Sequence, residues 1–130
     1  MKVLVCDDDA ILLKLLSTFL EKTYNAAVVK ATNGQDALKM ADSESPDLII
    51  LDYMMPKMDG IKALQKIKAR PAGQKQPKIL LYSAFDLKNQ ARSEGADGFI
   101  QKPGSTDKLK QEIDRIMGIV PAAPAKPARF

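Results

Sequence analysis

Pro46-Asp47-Leu48-Ile49-Ile50-Leu51-Asp52-Tyr53-Met54-Met55-Pro56-Lys57-Met58-Asp59-Gly60 is the stretch on which the reading of this chain turns. Four large apolar residues in a row fit a strand buried on both faces, as the central strand of a parallel sheet is. The run ends directly in a carboxylate, Asp52. After a short loop, Asp59-Gly60 sits where a helix should start, with Asp59 as a good N-cap. In parallel α/β sheets ligands bind beyond the carboxyl ends of the strands. Asp52 therefore stands where chemistry is expected.

Working outward, four more strand-like runs alternate with helical patterns: Lys2–Cys6, Ala26–Ala31, Lys78–Tyr82 and Phe99–Gln101. Leu12, Leu15, Leu16, Phe19 and Leu20 recur at helical spacing, as do Leu109, Ile113, Ile116, Met117 and Val120. Ala37, Leu38 and Ala41 mark a second helix, and Ile61, Leu64 and Ile67 a third. Asn33-Gly34 and Ser105 are placed as helix starts, and Asp9 as a cap of the first helix. An unbroken βα alternation predicts an α/β fold, a doubly wound five-stranded parallel sheet with helices on both faces. One domain is expected over residues 1–118. Residues 119–130, IVPAAPAKPARF, are Pro/Ala-rich and without periodicity, and read as a flexible tail or linker stub.

Composition narrows the function classes. With 45% hydrophobic and 28% charged residues, the chain is an ordinary globule. No apolar run can span a bilayer, so no membrane insertion is expected. The chain opens Met1-Lys2 and enters a strand-like run at Val3, which leaves no room for a signal peptide. Cys6 is the single cysteine, so no internal disulfide can form, and the expected location is cytoplasmic. There is no histidine, which removes His-based acid–base catalysis and most zinc sites. The net charge of +4 includes Lys126 and Arg129 of the tail. So small and scattered an excess predicts no direct nucleic-acid binding.

The strand ends carry the chemistry. The first runs into Asp7-Asp8-Asp9 and the third into Asp52. If the two are neighbours, three or four carboxylates crowd one pocket, and a divalent cation relieves their repulsion; hard oxygen ligands suit Mg²⁺. Capping accounts for Asp9 but poorly for acids on two adjacent strand ends. The fourth strand delivers the Ser83 hydroxyl to the same rim, and the fifth delivers the Lys102 ammonium. Acids, metal, hydroxyl and lysine together suit a phosphoryl group, whose oxygens need positive charge and donors.

These residues carry a resemblance. Val5-Cys6-Asp7-Asp8-Asp9, the stretch from Pro46 to Gly60, Tyr82-Ser83-Ala84, Gly95-Ala96-Asp97-Gly98-Phe99 and Lys102-Pro103 stand in the order found in response-regulator receiver domains. The likeness covers residues 2 to about 118. It implies the flavodoxin-like strand order 2-1-3-4-5. It implies Asp52 as phosphoacceptor, Mg²⁺ held by Asp7, Asp8, Asp52 and the backbone carbonyl of Met54, and Lys102 paired with the acceptor and then with the phosphoryl group. The Lys102-Pro103 peptide is expected to be cis, a geometry only X-Pro reaches cheaply. Ser83 would bond the phosphoryl oxygen and Phe99 would turn inward as the switch. Met54 and Phe85, two residues beyond Asp52 and Ser83, flank the path of attacking water and cannot orient it, so dephosphorylation should be slow. The implied partners are a histidine kinase or phosphotransfer protein and a downstream target protein. Beyond its own phosphorylation and dephosphorylation no enzyme activity is expected.

Two other readings compete. The run VLVCDDDAIL is similar to the first motif of haloacid-dehalogenase-type phosphatases, with Asp7 as nucleophile and Asp9 as acid/base, but that leaves the Asp52 stretch unexplained. A phosphorylation-independent, protein-binding pseudo-receiver would have lost an acid, the hydroxyl or the lysine, and all are present. One departure stands out: Ser83 and Phe99 are sixteen positions apart, shorter than the family's spacing by about one helical turn. The fourth helix is therefore expected to be short, covering at most residues 86–94 with Leu87 and Ala91 as its apolar anchors. Gly104 follows Lys102-Pro103 where many transcription-factor receivers carry Phe. With the short helix this argues for a monomer.

Overall fold

The computed structural model describes residues 1–71 and 73–120. Five strands alternate with five helices: β1 Lys2–Cys6, α1 Ala10–Tyr24, β2 Ala27–Ala31, α2 Gly34–Glu44, β3 Leu48–Leu51, α3 Gly60–Lys68, β4 Lys78–Ser83, α4 Lys88–Ser93, β5 Gly98–Gln101 and α5 Thr106–Met117. All strand pairs are parallel and the order is β2-β1-β3-β4-β5. This is the doubly wound order expected. The strands begin or end within a residue of the predicted bounds.

β3 is central and all four of its side chains are buried, which is why its sequence is uninterrupted Leu and Ile. Alternation then divides the core into two. Leu4, Cys6, Ile49, Leu51, Ile79 and Leu81 point to the side covered by α2 and α3. Val3, Val5, Leu48, Ile50, Leu80 and Tyr82 point to the side covered by α1 and α5. The edge strands β2 and β5 are only partly buried.

The predicted caps are in place. Asp9 accepts from the N–H groups of Ile11 and Leu12, Asn33 from Asp36, Asp59 from Lys62 and Ser105 from Lys108. Each places a helix start at the carboxyl edge of the sheet. In α1 the buried stripe is Leu13, Leu16, Ser17 and Leu20. This corrects the expected stripe, since Leu15 lies 62% exposed and Leu12 half-buried. Val120, expected to continue the stripe of α5, is exposed, because Gly118 ends that helix in the left-handed region.

α4 is as short as the spacing required. It has six residues, no side-chain cap at Leu87, one buried side chain in Ala91, and Leu87 packed at the edge of the core. The Pro/Ala-rich stretch assigned to the tail lies outside the described residues from 121 onward.

Candidate functional site

The parallel register aligns four strand ends. Cys6 pairs with Leu51, Leu51 with Leu81, and Ser83 with Gln101, so the residues just beyond them converge. Ladder hydrogen bonds continue past the strands: Asp52 N–H donates to the Cys6 carbonyl at 2.9 Å, and Lys102 N–H to the Ser83 carbonyl at 2.7 Å. These bonds fix the backbones that carry the acid and the lysine.

Asp7 and Asp52 are buried, 2% and 6% exposed, whereas Asp8 faces solvent. One carboxylate oxygen from each of the three lies within 4.8 Å of the others. Lys102 Nζ reaches between the buried pair, 2.7 Å from Asp7 Oδ2 and 3.2 Å from Asp52 Oδ1. The same ammonium sits 5.3 Å from the centre of the Tyr82 ring, a cation–π contact that helps aim it. The remaining oxygen of Asp7 accepts from Asp9 N–H at 2.9 Å.

Burial pushes the Asp52 carboxyl above its ordinary range, and the negative charge of Asp7 adds to the rise; Lys102 opposes both. Burial pulls the Lys102 ammonium down, but its hydrogen bond to Asp7 and the charges of Asp52 and Asp7 outweigh that and raise it. Lysine therefore stays charged, and its one positive charge offsets only part of what burial and Asp7 impose on Asp52.

Ser83 is fully buried at the end of β4, and its Oγ accepts from Phe85 N–H at 3.0 Å. Met54 is exposed on the loop after Asp52. Phe99 is half-buried on β5, away from the carboxylates, and packs against the core on the α4 side. With Lys88, Ala91, Arg92 and Arg115 it lines a groove of about 410 Å³ between α4, β5 and α5. The Lys102-Pro103 peptide is cis.

Gly60 was legible only as a helix start. A Cβ on it would lie 2.2 Å from the Asp52 carbonyl oxygen, and its N–H donates to the Tyr53 carbonyl at 2.9 Å. Glycine lets the start of α3 close directly onto the acceptor strand. No sequence signal distinguishes this close approach from an ordinary turn glycine.

Comparison with known proteins agrees with the geometry. The model of the response regulator receiver domain family matches residues 3–114. The chain belongs to that family. The receiver is 34% identical over 119 residues to the chemotaxis protein CheY of Bacillus subtilis, covering 89% of this chain and 97% of that protein. It is 35% identical to the alkaline phosphatase synthesis transcriptional regulatory protein PhoP of the same organism, covering 89% of this chain but 48% of PhoP. Among solved structures, the response regulator domain of Thermotoga maritima CheB superposes with a TM-score of 0.78 at 26% identity, covering 93% of this chain and 98% of that one. The Francisella response regulator 1452 receiver domain gives 0.80 at 28%, covering 90% and 96%.

Receiver domains accept a phosphoryl group and bind Mg²⁺ in an acidic pocket. In this receiver Asp7, Asp8 and Asp52 bring together a cluster of hard oxygen donors, the type that ion prefers. The phosphatase reading loses its ground, because the family match spans residues 3–114 and takes in the Asp52 stretch that reading leaves unexplained. Among the described residues no helix is long and apolar enough to cross a membrane.

Proposed function

We propose that this receiver takes a phosphoryl group from a histidine kinase or phosphotransfer protein onto Asp52, and so remodels a protein-binding surface. The observation that carries this is the placement of the Asp52 carboxylate. It is buried at the end of the central strand, touched by Lys102 and crowded by two further acids.

Lys102 holds Asp52 Oδ1, which leaves Oδ2 to attack phosphorus as the bond to the donor nitrogen breaks and the imidazole retains the electron pair. Mg²⁺ bound by Asp7, Asp8, Asp52 and the Met54 carbonyl would neutralise the pocket and the phosphoryl oxygens. Lys102 then exchanges its contact with Oδ1 for a phosphoryl oxygen, and Ser83 donates its hydroxyl proton to another. Residues 1–118 form the receiver unit, acting as a cytoplasmic monomer without direct nucleic-acid contact.

Mass spectrometry of peptides from protein treated with acetyl phosphate and Mg²⁺ is expected to find the label on Asp52. Label on Asp7 would defeat this reading. Met54 and Phe85 are both exposed and apolar, so neither can orient water toward the acyl phosphate. Label loss followed in the same sample should be slow, and the substitutions Met54→Asn and Phe85→Glu together should speed it; unchanged loss would remove the role assigned to this pair.

The switch is assigned to α4 and Phe99. A six-residue helix with one buried side chain has little holding it, and it forms one wall of the groove that Phe99 lines. Drawing Ser83 toward the phosphoryl group moves the loop leading into α4, and Phe99 turns into the space left behind. Hydrogen exchange over residues 84–95 is expected to slow when beryllofluoride and Mg²⁺ are added, with the protein still monomeric. Equal exchange in both states, or a stable dimer, would count against it.

A further inference from the structure

The loop after β3 carries the acceptor and the loop after β4 carries the hydroxyl, and one aromatic contact joins them. The rings of Tyr53 and Phe85 meet edge to face, with centroids 6.0 Å apart and planes at 78°. This is the favoured geometry of an aromatic pair. Tyr53 is anchored: it is half-buried against the core that includes Met55, Ile61 and Leu81, and its carbonyl accepts from Gly60 N–H. Phe85 is not anchored in that way; it is 49% exposed, and the Tyr53 ring is its aromatic partner. The Phe85 backbone N–H donates to Ser83 Oγ.

We infer that Tyr53 is a positioning residue for phosphoryl transfer, acting through Phe85 on the hydroxyl of Ser83. This rests on the assignment of Asp52 and Ser83 above. A serine hydroxyl has one proton to donate and two lone pairs that accept. While Phe85 N–H occupies a lone pair, the oxygen is located and the proton remains available for a phosphoryl oxygen. Tyr53 holds the Phe85 ring, the ring holds its own backbone, and the backbone amide holds Oγ. Both ends of the chain adjoin groups that meet the phosphoryl group, since Tyr53 directly follows Asp52. Without the clasp the segment 84–87 keeps the Gln101 bond to the Ala84 carbonyl and the packing of Leu87 at its two ends, but the Phe85 ring between them loses its aromatic partner. Ser83 Oγ then loses its fixed donor and samples other rotamers.

The test measures the rate of phosphoryl uptake from acetyl phosphate at saturating Mg²⁺ by intact-protein mass spectrometry, in single variants and in a Ser83→Ala background. Tyr53→Ala and Phe85→Ala are each expected to slow uptake by roughly three- to tenfold, the scale of one aromatic pair. Tyr53→Phe keeps the ring and should stay within about twofold of wild type. With Ser83→Ala already present, Tyr53→Ala should add less than about twofold, because the group it positions is gone. Multiplying effects in that background, or wild-type rates in both single alanine variants, would overturn the inference. If Tyr53→Ala does not fold, as its melting curve would reveal, Phe85→Ala at its half-exposed position carries the same comparison. Wild-type protein that takes no label on Asp52 would instead defeat the underlying assignment, and the clasp with it.

Discussion

Asp52→Asn is expected to lose all phosphoryl uptake and yet to melt at a higher temperature than the wild type in Mg²⁺-free buffer at pH 7. An amide has no anionic oxygen to attack phosphorus, so loss of uptake follows from the acceptor role. The stability gain follows from electrostatics. Burial and the charge of Asp7 raise the Asp52 carboxyl above its unfolded value, so the fold prefers the protonated form. The stability from that preference is fully present below the unfolded carboxyl range, near pH 4, and is lost as pH rises through the higher folded value. Neutral pH is thus where the wild type carries the penalty and Asn does not. Asn keeps the shape, and Lys102 retains Asp7 at 2.7 Å as its partner. A higher melting temperature at pH 7 is expected, the gain shrinking toward zero below the unfolded carboxyl range. Added Mg²⁺ should stabilise the wild type more than the variant and narrow the gap. A variant that melts lower at pH 7 would mean that the Asp52–Lys102 contact outweighs the repulsion from Asp7.

How far the sequence carries this picture differs from element to element. Leu48-Ile49-Ile50-Leu51 can be read because a strand buried on both faces needs nothing but large apolar side chains. Asp52, Ser83 and Lys102 can be read because each follows its strand directly, and parallel strands deliver their ends to one edge. The shortness of α4 is simple arithmetic between Ser83 and Phe99. The face of α1 is harder, because Ile11, Leu12, Leu13, Leu15 and Leu16 surround the helix with apolar residues. Its phase is set by the sheet surface below, which buries Leu13 and Leu16 and leaves Ile11 and Leu15 outside. The contact of Tyr53 with Phe85 is harder still. It joins residues 32 positions apart in two loops, where neither period 2 nor period 3.6 applies. The same holds for the approach of Gly60 to Asp52, which depends on how closely α3 is drawn onto β3.

That approach makes Gly60→Ala a severely damaging substitution at the acceptor strand of this receiver. The added Cβ would stand 2.2 Å from the Asp52 carbonyl oxygen and 2.9 Å from both its carbonyl carbon and the Tyr53 Cα. All three are backbone atoms, so no flexible side chain can yield. Either α3 lifts away from the sheet, breaking the bond from Gly60 N–H to the Tyr53 carbonyl, or the end of β3 is pushed aside and takes the acceptor with it. Overpacking of this kind costs about 3 kcal/mol, or roughly 10 °C in melting temperature for a domain of this size. Uptake should fall by about a hundredfold even in the folded fraction, since an ångström of displacement at a reacting group has effects of that order. Gly118→Ala is the control. Gly118 has open space around it and needs only its left-handed φ of 68°, so alanine there should cost about 1 kcal/mol and leave uptake untouched. Melting curves and uptake rates of the two variants, measured side by side, separate a general loss of stability from a displaced acceptor. If Gly60→Ala behaves like Gly118→Ala in both, the close approach of α3 does not constrain Asp52, and the acceptor is held by its ladder bond to Cys6 alone.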